Sequence, residues 1–154
     1  MDVYTGNKQE LEQTLQLALK HKKNLMISCM NPHSFCLFMR DKSYRQALDS
    51  TDILLCDGVG FQIVERFINH KMYSRITGLE VTEIILNLAN HMGLKVSFIG
   101  STEDNLEVLK MNVGARYQNI QIAAFAPPFA ESFGENEYRD IKNFLSRENC
   151  DLVF

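Results

Sequence analysis

Asp57 follows four apolar residues, Ile53-Leu54-Leu55-Cys56, and is followed at once by Gly58-Val59-Gly60. Four consecutive apolar residues fit a strand covered on both faces, and the pattern after the glycines turns helical. In open α/β sheets, ligands bind outside the carboxyl ends of the strands. A carboxylate there can bond backbone, cap the next helix or act as a general base. On local pattern alone, cap and base stand level.

Three further segments could serve a ligand. Arg75-Ile76-Thr77-Gly78 precedes a helical pattern. A guanidinium fork beside a helix start suits an anion such as a diphosphate. Thr77 fits equally as a helix N-cap, and a surface arginine without a ligand is the commoner case. Gly100-Ser101-Thr102 leaves a strand and opens a helix, the position that faces phosphate in nucleotide folds. It is neither GxGxxG nor a P-loop. Asn31-Pro32 closes the first strand and is expected to share a sheet edge with Asp57 and Gly100. These residues imply an anion or nucleotide cleft and leave the reaction open.

The elements that must position them read as alternating helix and strand. Asn7 and Glu10 have capping-box spacing, and Leu11, Leu15, Ala18 and Leu19 then recur at helical intervals. Lys20, Lys22 and Lys23 complement the helix dipole at its end. A strand is expected over 25–30, one helix over 32–48, a strand over 52–56 and a helix carrying Val59, Ile63, Val64, Phe67 and Ile68. Further on, the pattern predicts a helix carrying Val81 to Met92 with Gly93 as its C-terminal cap, and a strand over 95–99. A helix over 103–117, a strand over 120–124, a helix over 135–147 and a strand from 151 complete it. Such alternation implies a parallel sheet with helices on both faces.

The 154 residues are 45% hydrophobic and 23% charged, enough for one ordinary domain with a real core. No apolar run approaches the ~20 residues of a transmembrane helix. The net charge of −3 gives no footprint for a nucleic-acid partner. Cys29, Cys36, Cys56 and Cys150 show no CxxC or zinc-finger spacing, and His21, His33, His70 and His91 are scattered. Cys29, Cys56 and Cys150, in or beside apolar strand-like runs, read as buried thiols in a reducing cytoplasm, and the histidines as packing or surface residues, with no metal site.

The series Met30-Asn31-Pro32, Ala47-Leu48-Asp49-Ser50-Thr51-Asp52-Ile53-Leu54-Leu55-Cys56-Asp57-Gly58-Val59-Gly60, Arg75-Ile76-Thr77-Gly78, Val96-Ser97-Phe98-Ile99-Gly100 and Cys150-Asp151-Leu152-Val153-Phe154 resembles the TagA/WecG/CpsF family of bacterial glycosyltransferases. Its members include N-acetylmannosaminyltransferases of wall teichoic acid and enterobacterial common antigen synthesis. The resemblance implies a Rossmann-like three-layer α/β sandwich with a mostly parallel sheet. It implies inverting transfer from a UDP-sugar, UDP-N-acetylmannosamine-like, to a lipid-diphosphate-linked saccharide, with no metal and no cofactor. Asp57 falls on the family's proposed catalytic base. Arg75 and Asn31 fall on site residues, and Gly58, Thr77, Gly78, Gly100 and Ser101 are read with them as substrate-binding. A cytoplasmic protein at the inner membrane face is expected, with peripheral membrane contact in the intact protein. An open sheet edge at 151–154 leaves room for a homo-oligomer.

This chain departs from the family pattern in three places. Cys29 stands where members usually carry threonine, and Ser101 where a second glycine is frequent. The family continues past the segment ending at Phe154 into a GLGxPKQE-type motif and a basic tail. Residues 1–154 are therefore expected to be a single core domain, C-terminally truncated, that binds weakly or transfers poorly. The alternative is a non-catalytic nucleotide-binding or assembly domain that retains only the fold. A flavodoxin-like or response-regulator domain fits the element order but lacks the acidic cluster expected after its first strand.

Overall fold

The computed structural model describes residues 3–57, 75–130 and 133–154. Gly58 and the helix expected after Val59 lie outside the described residues. The chain divides into two compact units, Met1–Ile85 and Leu86–Phe154.

In the first unit, helix α1 (Lys8–Lys20) opens on the expected capping box. Asn7 N donates to Glu10 Oε2 at 2.9 Å, and Glu10 N donates to Asn7 Oδ1 at 3.0 Å. The helix buries Leu11 and Leu15. Strands β1 (Ile27–Met30) and β2 (Ile53–Cys56) pair in parallel, in register from Ile27 with Ile53 to Met30 with Cys56. All four residues of β2 are buried, as their unbroken apolar run requires. Tyr4 N donates to Leu54 O at 2.8 Å, which lays the N-terminal segment along β2.

The single helix expected over 32–48 is two helices, α2 (Pro32–Arg40) and α3 (Lys42–Asp49). Asp41 breaks it. Its backbone is extended, and its carboxylate accepts from Ser43 N at 2.8 Å and Tyr44 N at 3.0 Å. Arg45 Nε returns to Phe38 O at 3.1 Å while its guanidinium stacks over the Phe38 ring. The apolar period runs on across the break, because Phe38 and Tyr44 both pack on the cluster of Met30, Leu48 and Leu54.

Helix α4 (Gly78–Met92) starts in the first unit and ends in the second. In the second unit, β3 (Lys95–Ile99) pairs in parallel with both β4 (Gln121–Phe125) and β5 (Leu152–Val153). Helices α5 (Glu103–Arg116) and α6 (Glu135–Glu148) complete it. Gly93 turns the chain after α4 at φ +65°, in the left-handed region that glycine favours. The core gathers Leu86, Ala89, Val96, Phe98, Leu106 and Tyr117, and the Phe98 and Phe154 rings stack at 5.2 Å.

The described strands thus form two parallel sets, β1-β2 and β4-β3-β5. The architecture is α/β with parallel strands, consistent with the Rossmann-like class expected. Among the described residues, no helix is long and apolar enough to cross a membrane.

Candidate functional site

Asp57 lies one residue beyond β2. Its N–H donates to Met30 O at 2.8 Å, which carries the ladder one step past the strand and fixes the backbone there. Side chains alternate along a strand, and Cys29 pairs in register with Leu55. Cys29 and Asp57 therefore point to the same face. On that face lies the start of α4: Gly78 N donates to Asp57 Oδ2 at 3.3 Å. Among the described residues outside its own helix, a Cβ built on Gly78 would meet Cys29 Sγ, at 3.6 Å. Asp57, Gly78 and Cys29 thus form one cluster, assembled from two strand ends and a helix start.

The rest of the Arg75–Gly78 segment is organised by its own hydrogen bonds. Thr77 N and Thr77 Oγ1 both donate to Glu80 Oε2 at 2.9 Å, and Glu80 N donates to Thr77 Oγ1 at 3.2 Å. This reciprocal box explains why α4 begins at Gly78, ahead of the apolar pattern that starts at Val81. The Thr77 backbone N–H, then its hydroxyl, hold the Glu80 carboxyl below its ordinary value. The charges of Lys8, at 3.7 Å, and Arg75 act in the same direction. Ile76 is buried at 2% exposure and pins the segment, while Arg75 is exposed.

A free helix N-terminus would offer its first N–H groups to an anion. Here Thr77 N faces Glu80, Gly78 N faces Asp57, Glu80 N faces Thr77, and Val81 N donates to Thr77 O. Leu79 N has no partner among the described residues. The helix start thus binds the protein's own carboxylates, and Arg75 and Lys8 are exposed cations beside it.

Burial pushes the Cys29 thiol up, and the nearby Asp57 charge adds to the effect. The sulfur is therefore a neutral, half-buried group at neutral pH. Asn31 caps α2, accepting from Ser34 N at 2.9 Å while its own N–H donates to Ser34 Oγ at 2.7 Å. Its oxygen has a structural role irrespective of any ligand.

Gly100 and Ser101 belong to the second unit. Gly100 N donates to Phe125 O at 3.0 Å, and the pair turns out of β3 at φ +118° and +63°. Asn105 Nδ2 donates to Ser101 Oγ at 3.1 Å, and Thr102 caps α5 through Asn105 N at 3.3 Å. Among the described residues no Cβ clash demands glycine at 100, but its φ does.

Two features escaped the sequence reading. Glu80 was legible, since Thr77-x-x-Glu80 has capping-box spacing. The place of Cys29 against Gly78 is a tertiary contact with no local signal. Among the described residues, no group of three or more His, Cys, Asp or Glu side chains could hold a metal ion.

Chemically, the cluster presents a carboxylate anchored through one oxygen at a strand end, with a neutral sulfur and a bare glycine beside it. Its sequence relatives are transferases. The N-acetylglucosaminyldiphosphoundecaprenol N-acetyl-beta-D-mannosaminyltransferase of Bacillus subtilis (strain 168) is 26% identical over 136 residues, 88% of this chain and 51% of that protein. The protein of the same name from Bacillus spizizenii is 24% identical over the same coverage. That from Staphylococcus aureus (strain NCTC 8325 / PS 47) is 25% identical over 100 residues, 65% of this chain and 39% of its own length. The chain spans about half the length, or less, of the curated relatives it matches. A family profile aligns with residues 1–154 throughout, strand ends and Arg75–Gly78 segment included, and the chain belongs to the glycosyl transferase WecG/TagA/CpsF family.

Proposed function

We propose that this chain carries the catalytic base of an inverting glycosyltransferase. It moves an N-acetylmannosamine-like sugar from a UDP donor to a lipid-diphosphate-linked saccharide, at the inner face of the cell membrane. The observation that carries the reading is the contact between Asp57 Oδ2 and Gly78 N at 3.3 Å, which joins the end of β2 to the Arg75–Gly78 segment.

An acceptor hydroxyl attacks the anomeric carbon from the side opposite the diphosphate. Asp57 takes the hydroxyl proton as the new C–O bond forms. The bond from the anomeric carbon to the diphosphate oxygen breaks, and UDP leaves with the bonding pair. One displacement inverts the centre. General base catalysis of this kind is worth ~10²–10⁴-fold. Arg75 supplies charge for the departing diphosphate, because the N–H groups of Thr77, Gly78 and Glu80 at the start of α4 are engaged within the protein.

The test is transfer from UDP-N-acetylmannosamine to a polyprenyl-diphosphate N-acetylglucosamine acceptor. Asp57→Asn keeps an oxygen for Gly78 N, so it should melt like the wild type and lose at least ~10²-fold in kcat. Near-wild-type turnover would remove Asp57 from the mechanism. The internal engagement of the α4 donors favours one other reading, a nucleotide-binding domain without turnover. UDP binding by the wild-type chain with no transfer would support it.

A further inference from the structure

Glu80 is a charged side chain beside the site to which the proposed reaction gives no role. Its Oε2 accepts from Thr77 N and from Thr77 Oγ1, both at 2.9 Å, while its own N–H donates to Thr77 Oγ1 at 3.2 Å. Thr77 is thus held by its backbone and its hydroxyl together. The next N–H along, that of Gly78, meets Asp57 Oδ2 at 3.3 Å, just past the ~2.7–3.2 Å of a well-formed N–H···O bond. The Gly78 contact is the weaker of the two, so the bonds at Thr77 decide where the Gly78 N–H points.

One peptide plane links the two carboxylates. In a trans peptide the C=O and the N–H point in opposite directions. Thr77 O accepts from Val81 N at 3.1 Å and so points into α4. The Gly78 N–H on the same plane therefore points out of the helix start, where Asp57 meets it. That plane turns only if Thr77 moves. Glu80 holds Thr77 from within the helix, and buried Ile76 fixes the chain just before it. Asp57 Oδ1 accepts from nothing among the described residues, so the Gly78 N–H is the hydrogen bond that gives this carboxylate its direction.

We propose that Glu80 is a positioning residue for the base: through Thr77 it aims the Gly78 N–H at Asp57 Oδ2, which leaves Oδ1 to the acceptor hydroxyl. This rests on the reading of Asp57 as the base of a UDP-sugar transferase. Glu80 acts through Thr77 and Gly78 and takes no proton itself. Its charge has a separate effect, because Lys8 Nζ lies 3.7 Å from Oε1 and Arg75 also interacts with the carboxylate. Glu80→Gln and Glu80→Ala lose that same charge, but glutamine keeps an oxygen for Thr77 and alanine does not. The difference between the two variants therefore reads the positioning alone.

The experiment is a double-substitution cycle read at the Gly78 amide, by NMR on the full chain isotopically labelled at glycine. The Gly78 signal is assigned by its absence from Gly78→Ala. Asp57→Asn replaces the carboxylate by a neutral group and should move that signal in the wild type and in Glu80→Gln. In Glu80→Ala the same replacement should leave it nearly unmoved. The amide readout needs no turnover. In the transfer assay, Glu80→Ala should lose roughly ten- to hundredfold in kcat, the cost of a misaligned catalytic group, with KM for the UDP-sugar unchanged. Glu80→Gln should recover most of that loss. Glu80→Met, which keeps the length of the side chain and offers no oxygen, repeats both measurements if Glu80→Ala melts early.

A Gly78 signal that answers to Asp57→Asn as strongly in Glu80→Ala as in the wild type overturns the inference. So does a glutamine variant that loses as much kcat as alanine. If Asp57→Asn abolishes transfer while Glu80→Ala keeps full kcat, the positioning role fails and the reading of the base stands. If Asp57→Asn transfers normally, the reading of the base fails and the positioning role fails with it, whatever the Gly78 signal does.

Discussion

Thr77→Val separates the structural work of the Arg75–Gly78 segment from its chemistry. Valine keeps the branched shape and removes Oγ1. Two hydrogen bonds go: Thr77 Oγ1 to Glu80 Oε2 at 2.9 Å, and Glu80 N to Thr77 Oγ1 at 3.2 Å. The third, Thr77 N to Glu80 Oε2 at 2.9 Å, remains. Loss of a Ser, Thr or Asp N-cap costs about 1 kcal/mol, within a range of roughly 0.5–2. The upper half of that range does not apply. One bond of the box survives, and the Glu80 side chain is 38% exposed, so water reaches the orphaned N–H. The helix cannot restart elsewhere, because Ile76 is fixed in the core at 2% exposure. A loss of about 1 kcal/mol in a chain of this length lowers the thermal midpoint by about 3 °C. Circular dichroism melts and urea titrations on wild type, Thr77→Val, Thr77→Ser and Thr77→Asn measure it. Serine and asparagine both cap and should restore the midpoint. A valine variant that melts with the wild type, or a serine variant that falls as far as valine, would refute the capping argument. The asparagine variant then reports on chemistry. Full stability with transfer reduced tenfold or more means that Thr77 also touches substrate; full stability with full transfer leaves it a cap.

Three further outcomes are expected. Glu80 and Glu148 have folded pKa values held below the ordinary 4.5 by hydrogen bonds, so the stability they contribute is present above that value and is lost as pH falls through the folded ones. Urea midpoints should therefore fall below pH ~4.5, and fall less steeply in Glu80→Gln; a wild-type midpoint flat with acid would contradict this. Lys22 sits at φ +50° just after α1, where glycine is at ease, so Lys22→Gly should raise stability by up to about 1 kcal/mol in a thermal melt, and a drop would show that the lysine side chain holds that turn. Arg75→Ala should lower kcat/KM for the UDP-sugar by ~10²–10³-fold, with Arg75→Lys recovering only part because it lacks the fork; unchanged kinetics in the alanine variant would place the diphosphate elsewhere.

Most elements of the fold were legible because their signals are local. The Asn7–Glu10 box, the Asn31-Pro32 start and Gly93 as a helix stop each depend on a few neighbouring residues, and each is found in the structure. The break at Asp41 was not legible. Hydrophobic period is insensitive to a one-residue interruption when both flanking helices face the same cluster, as α2 and α3 do. The capping role of Asp41 becomes visible only with its bonds to Ser43 and Tyr44 in hand.

Asp57 is the instructive case. Its own sequence offered a cap or a base and tied the cap to the helix that follows directly. Among the described residues, its carboxylate meets Gly78, 21 residues further on, through packing that no period encodes. That contact suits both roles. One oxygen satisfies an N–H at the start of α4, where the helix dipole favours negative charge. The same bond fixes the direction of the carboxylate, which is what a general base needs. Capping and catalysis therefore call on one geometry. The consequence is practical: Asp57→Ala would remove both at once, and a loss of transfer in it would prove neither. Only a substitution that keeps the acceptor for Gly78 while giving up the charge distinguishes them, and asparagine is the side chain that does so.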